Sequence, residues 1–187
     1  MRLIQPFQYI VGVTSLEDVD CDQFNKFAKE IFEKNPSVIS SNSGGYQSPD
    51  LLSIPQIQEL SERLQKAIRS YTGYFQFKNK LKMTNLWLNV NSTKDSNVLH
   101  DHPQCKLSGV FYTNAPENCG DLIFSNPAEI QHFINSSEVN KYNSYNCSKY
   151  KITPEDNMLV IFPSFLKREV AINTSSSKRI SFSFSLM

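Results

Sequence analysis

Two histidines stand one residue apart in the stretch NVLHDHP, residues 97–103. On an extended strand successive side chains point to opposite faces, so His100 and His102 share a face and Asp101 points away. Two imidazoles on one face are half of a metal site, and the rest must come from elsewhere in the chain. The competing reading is of polar surface residues or hydrogen-bonded core histidines, the commoner fate of a single histidine. The apolar runs on either side and the following Pro103 favour a metal-facing pair.

The C-terminal run KRISFSFSLM alternates strictly. Ile180, Phe182, Phe184 and Leu186 take one face, and Arg179, Ser181, Ser183 and Ser185 the other. The polar face meets either water or a cavity. In a cavity, Arg179 and Ser181 would hold a carboxylate, the guanidinium by its planar fork and the serine by its hydroxyl. In LWLNVN, Trp87 and Asn89 share a face opposite Leu86, Leu88 and Val90; a buried amide such as Asn89 needs a partner.

These residues need a scaffold, and the chain of 187 residues is long enough for one domain with a real core. Lys and Arg number 19 against 18 Asp and Glu, a near balance that argues against nucleic acid or an anionic membrane as the main partner. The N-terminus has no signal-peptide pattern, no run approaches the ~20 apolar residues of a membrane span, and the four cysteines form no CxxC pair. A reducing cytoplasmic setting is the expectation.

Residues 1–82 read as a mainly helical part after a short strand. One helix is predicted within 15–35, with Phe24, Phe27, Ile31 and Phe32 near helical spacing. A second follows Pro55, with Ile57, Leu60, Leu64, Ala67, Ile68 and Tyr71 on one stripe. SNSGGYQSPDLLSIP between them reads as a loop. Residues 83–187 turn to short strand-like runs with Asn, Pro, Gly and Ser between them, the grammar of a β-sandwich or barrel-like core. The layout is α+β, one domain over residues 1–187, with helices on one outer face of the sheet. The polar, Asn- and Tyr-rich segment 129–152 reads as a long surface excursion and a candidate lid.

In order and spacing, the motifs SNSGGYQSPDLL, LWLNVN, HDHP followed by LSGVFYTN, GDLIFSNP, MLVIFPSFL and KRISFSF resemble those of the small 2-oxoglutarate/Fe(II)-dependent oxygenases. These are prolyl 4-hydroxylase-like proteins common in marine bacteria and their phages. The resemblance implies a double-stranded β-helix (jelly-roll, cupin-like) core preceded by helices. It also implies Fe(II), 2-oxoglutarate and oxygen as reactants, and a protein residue or small metabolite as the substrate hydroxylated. A phage-encoded copy would act in the host cytoplasm. His100 and His102 match the first two metal ligands, and Arg179 the anchor of the distal 2-oxoglutarate carboxylate, with Ser181 beside it. Asn89 and Tyr112 fall where they would line the co-substrate pocket.

The chain departs from the family at the last ligand. Where the family carries a histidine shortly after FPS, this sequence reads FPSFLKREV and places Arg168 there. An arginine offers no lone pair and repels a dication. Glu169 is the nearest candidate third ligand, reaching the site only if a bulge turns it inward; His132 and Asp101 are more remote. Two main readings result: an oxygenase with an incomplete triad, and a binding or assembly module descended from one, in which Arg168 pairs with a carboxylate or holds an anion. A zinc or manganese enzyme of cupin type ranks behind both.

Overall fold

The computed structural model describes residues 1–2, 8–128, 134, 136–143 and 145–187. Helix α1 (Cys21–Lys34) starts where the Asp20 carboxylate accepts the Gln23 N–H and ends at Asn35, just before Pro36. Helix α2 (Gln58–Thr72) follows a single 3₁₀ turn over Pro55–Ile57. Leu60, Leu64, Ile68 and Tyr71 form the buried stripe of α2, as their spacing predicts.

The strands are β1 (Gly12–Ser15), β2 (Asn42–Ser43), β3 (Tyr46–Gln47), β4 (Met83–Asn91), β5 (Ser96–His100), β6 (Leu107–Asn114), β7 (Leu122–Ser125), β8 (Lys149–Ile152), β9 (Met158–Pro163), β10 (Arg168–Val170) and β11 (Arg179–Leu186). They pair antiparallel into a six-stranded sheet, β1-β9-β6-β11-β4-β3, and a five-stranded sheet, β2-β5-β10-β7-β8. This two-sheet arrangement is the double-stranded β-helix. The N-terminal part is less purely helical than its composition suggests, because β1, β2 and β3 extend both sheets. The two short strands lie in the stretch read as a loop and join at Gly44, whose φ of +85° glycine adopts without strain.

Strand alternation divides the interior into two layers. Leu86, Leu88, Phe182 and Phe184 point outward from the six-stranded sheet and pack with Phe24, Ala28, Leu60 and Leu64 of the helices. Phe24 meets Phe182 edge to face at 6.0 Å. Gly109 lets β6 lie under the Phe184 ring, since a Cβ there would stand 2.2 Å from it. Between the sheets, Val110, Tyr112, Leu122, Phe124, Val160, Phe162 and Leu166 fill one end of the sandwich. The other end holds a polar cavity.

Segment 129–152 is not all excursion. Its last four residues are β8, paired along the length of β7 from Leu122–Ile152 to Ser125–Lys149. Residues 129–133, 135 and 144 of the candidate lid, His132 among them, lie outside the described residues.

Candidate ligand and cofactor site

Three adjacent strands set one row of the cavity. Ser181 on β11 stands opposite Asn89 on β4 and, on its other side, Tyr112 on β6. The Asn89 amide donates to Ser183 Oγ at 2.9 Å. Among the described residues the Ser181 and Tyr112 hydroxyls have no hydrogen-bond partner, and both line the cavity. Burial pushes the Tyr112 phenol up, so it stays a neutral donor.

Arg179 lies one step along β11, opposite Asn91, and is 2% exposed. Its Nη1 donates to the carbonyls of Cys119 and Gly120 at 2.6 and 3.2 Å. Gly120 makes this possible. Its φ is +94°, and a Cβ would fall 2.2 Å from the Ala171 carbonyl oxygen and 3.1 Å from the arginine. The Cys119 side chain also hydrogen-bonds the guanidinium, and among the described residues no carboxylate reaches it within ion-pair distance.

The opposite sheet supplies the rest. Arg168 opens β10 directly across from His100 on β5, with Phe124 on its other side. The His100 Nδ1 lies 2.7 Å from the Val98 carbonyl, so it carries the proton and Nε2 is the free nitrogen. His102 follows β5, its ring centroid 5.5 Å from that of His100 and 5.7 Å from that of Trp87. Its Nδ1 is 3.1 Å from Ser108 Oγ, which in turn contacts Ser164 Oγ at 2.7 Å. Both imidazoles line the cavity.

The Arg168 guanidinium fills the space in front of them. It is 4% exposed and sits over the Phe162 ring, 5.2 Å from the centroid. One Nη stands 2.9 Å from both ring nitrogens of His102, too evenly placed to be a straight hydrogen bond to either. Its other polar contact is a long one, 3.5 Å to the Ser164 carbonyl. Burial lowers its pKa to about 10, which leaves it charged at neutral pH. Burial, then the Arg168 charge, then His100 push His102 down to about 3, and burial followed by Arg168 lowers His100. Both rings are neutral.

Glu169 does not join this group. The register against β5 shifts between Arg168 and Val170, but the extra residue lies on β5; β10 pairs regularly with β7, and Glu169 stands opposite Ile123 and pairs with Lys149 of β8 at the surface. It therefore leaves the candidate ligand set. Asp101 lines a neighbouring cleft with Trp87, Gln104, Cys105 and Asp50, outside the cavity.

The residues present do not fit a resident dication. Among the described residues no group of three or more His, Cys, Asp or Glu side chains could hold one, and the third position is a cation. They do fit a carboxylate ligand. The cavity is small, about 60 Å³, and its lining among the described residues includes two guanidinia and no Asp or Glu. Sequence reasoning missed Asn91 and Asn97, joined at 3.4 Å on the cavity wall, although Asn91 shares the LWLNVN face with Asn89.

A buried arginine and two hydroxyls thus line a cavity inside the jelly roll, with one histidine at the end of β5 and a second just beyond it. The family model described as "Putative 2OG-Fe(II) oxygenase" matches residues 85–185, and the chain belongs to that family. The family's cofactors are Fe(II) and 2-oxoglutarate. Solved structures agree on the fold. The epimerase SnoN from nogalamycin biosynthesis superposes with a TM-score of 0.71 at 13% identity, covering 95% of this chain and 76% of SnoN. HygX from Streptomyces hygroscopicus, with nickel and 2-oxoglutarate bound, gives 0.65 at 11% identity over 94% of this chain and 82% of its own. The Trichoplax adhaerens prolyl hydroxylase, in complex with a hypoxia-inducible-factor peptide, gives 0.67 at 13% identity over 95% and 83%. No curated protein matches the sequence.

Proposed function

We propose that the cavity is a 2-oxoglutarate site in which Arg179 takes the distal carboxylate, Ser181 and Tyr112 hydrogen-bond it, and Asn89 lines the pocket. The observation that carries this is Arg179 itself: a buried guanidinium with no carboxylate partner among the described residues, and two hydroxyls without a partner in the adjoining row. Such an arrangement favours an anionic ligand, because a buried charge is stable only when paired.

The family reaction decarboxylates 2-oxoglutarate oxidatively and hydroxylates a second substrate, with iron supplying the redox chemistry when bound. The resemblance gives His100 and His102 as the first two metal-facing residues for that reaction, and the cleft lined by Trp87, Asp101 and Gln104 is where a protein residue or small metabolite would enter. HygX and the Trichoplax enzyme, crystallised with 2-oxoglutarate and with a peptide, support both halves of this reading. One observation favours the second reading, a binding module: the Arg168 guanidinium stands against His102 where a metal would need a lone pair. A reducing cytoplasm, the host's if a phage encodes the protein, suits its four free cysteines. No described helix is long and apolar enough to cross a membrane.

Thermal unfolding with millimolar 2-oxoglutarate tests the site. The wild-type midpoint should rise by a few degrees and that of Arg179→Gln should not, by mass action on the folded state. No rise in the wild-type midpoint, with or without Fe(II), overturns the proposal.

A further inference from the structure

We infer that Arg168 takes over the metal's part in holding the ligand, so that this chain binds a linear C4–C5 dicarboxylate between two guanidinia and needs no metal to do so. The inference rests on the 2-oxoglutarate site proposed above and adds what grips the other end of the molecule.

Arg168 and Arg179 come from opposite sheets, are 4% and 2% exposed, and line the same cavity. Neither has a carboxylate within ion-pair distance among the described residues. Asp101 is the carboxylate whose charge acts most on Arg168, and it lies in the neighbouring cleft. Among its described lining residues the cavity therefore carries two fixed positive charges and no carboxylate, a surplus that a dianion cancels.

Directionality agrees with the charge count. Arg179 is held from behind by the Cys119 and Gly120 carbonyls and by the Cys119 side chain, all neutral groups that leave its charge to a ligand. Arg168 is held by an aromatic face and a long contact to the Ser164 carbonyl, and it meets only neutral imidazole nitrogens in front. A guanidinium so placed can present its planar fork to a carboxylate, a geometry a metal-free histidine pair cannot offer. In a metal site the keto oxygen of 2-oxoglutarate would matter, because it chelates. In a two-arginine clamp only the two carboxylates matter, and the keto group is dispensable.

Calorimetric titration of the full chain in EDTA separates these cases with three ligands: 2-oxoglutarate, glutarate (both carboxylates, no keto group) and 4-oxopentanoate (keto group and distal carboxylate only). Glutarate should bind within a few-fold of 2-oxoglutarate, and 4-oxopentanoate about tenfold or more weakly, the loss expected for one charge-assisted pair. Arg168→Gln should lower 2-oxoglutarate to the 4-oxopentanoate level and leave 4-oxopentanoate unchanged, which also serves as its folding control. If that variant does not fold, the wild-type ligand series decides alone. Binding of 2-oxoglutarate only when Fe(II) is added, or equal binding of 4-oxopentanoate, overturns the clamp and leaves the 2-oxoglutarate site standing. No binding of any ligand, with or without Fe(II), overturns the site as well.

Discussion

The guanidinium of Arg168 lies against the imidazole of His102, one nitrogen 2.9 Å from each ring nitrogen. That contact puts a fixed positive charge beside the histidine pair, at the position where the family resemblance expects the third metal ligand. The metal chemistry and the ligand chemistry of this pocket separate at that residue.

Restoring the ligand should restore the metal. Arg168→His removes the charge and supplies a nitrogen on the strand position opposite His100. Anaerobic Fe(II) titration with 2-oxoglutarate present, followed by the visible charge-transfer band, should show affinity raised by about a hundredfold or more over wild type. That size matches losing a repulsive charge and gaining a ligand bond. The double variant His100→Ala/Arg168→His should show no band.

Glu169 should be a bystander. It pairs with Lys149 on the outer face and is partly solvated, so Glu169→Gln should cost less than about 1 kcal/mol in urea unfolding. Its metal and ligand affinities should equal those of wild type. A drop in metal binding in this variant would return Glu169 to the ligand set.

Gly120 should be intolerant of a side chain. Its φ of +94° and the Ala171 carbonyl 2.2 Å from a would-be Cβ strain Gly120→Ala by about 1–3 kcal/mol or more. Because the same turn holds Arg179, that variant should also bind 2-oxoglutarate more weakly in calorimetry. Gly109→Ala should lose similar stability through overlap with the Phe184 ring.

Acid should weaken the fold through His102. Its pKa is lowered to about 3, mainly by burial, from the usual 6.5. Between those values the unfolded chain binds a proton that the folded chain does not. The His102 contribution to stability is therefore complete above pH 6.5 and is lost as pH falls towards 3. Urea midpoints should drop from pH 7.5 to 5.5, and less steeply in His102→Gln.

Much of this site could be read from alternation alone. RISFSFSL and LWLNVN declared which residues face inward, and the structure sets Ser181 between Asn89 and Tyr112 on that face. The helices were legible from their stripes. Three features were not. The short β2 and β3 pairings depend on partners distant in sequence, which Ser- and Gly-rich composition hides. The carbonyl grip on Arg179 comes from a turn sixty residues away, set by Gly120. The fate of Glu169 turned on which strand carries the extra residue at the register shift between β10 and β5; it lies on β5, and regular pairing of β10 with β7 sends the Glu169 side chain to Lys149.

The most direct test is diffraction from crystals grown with 2-oxoglutarate and Mn(II), with data collected to locate manganese by its anomalous signal. Ligand density bridging Arg168 and Arg179, with no anomalous peak between His100 and His102, is the result this pocket should give. A manganese peak on the two histidines, with Arg168 displaced and 2-oxoglutarate chelating the metal, would contradict it.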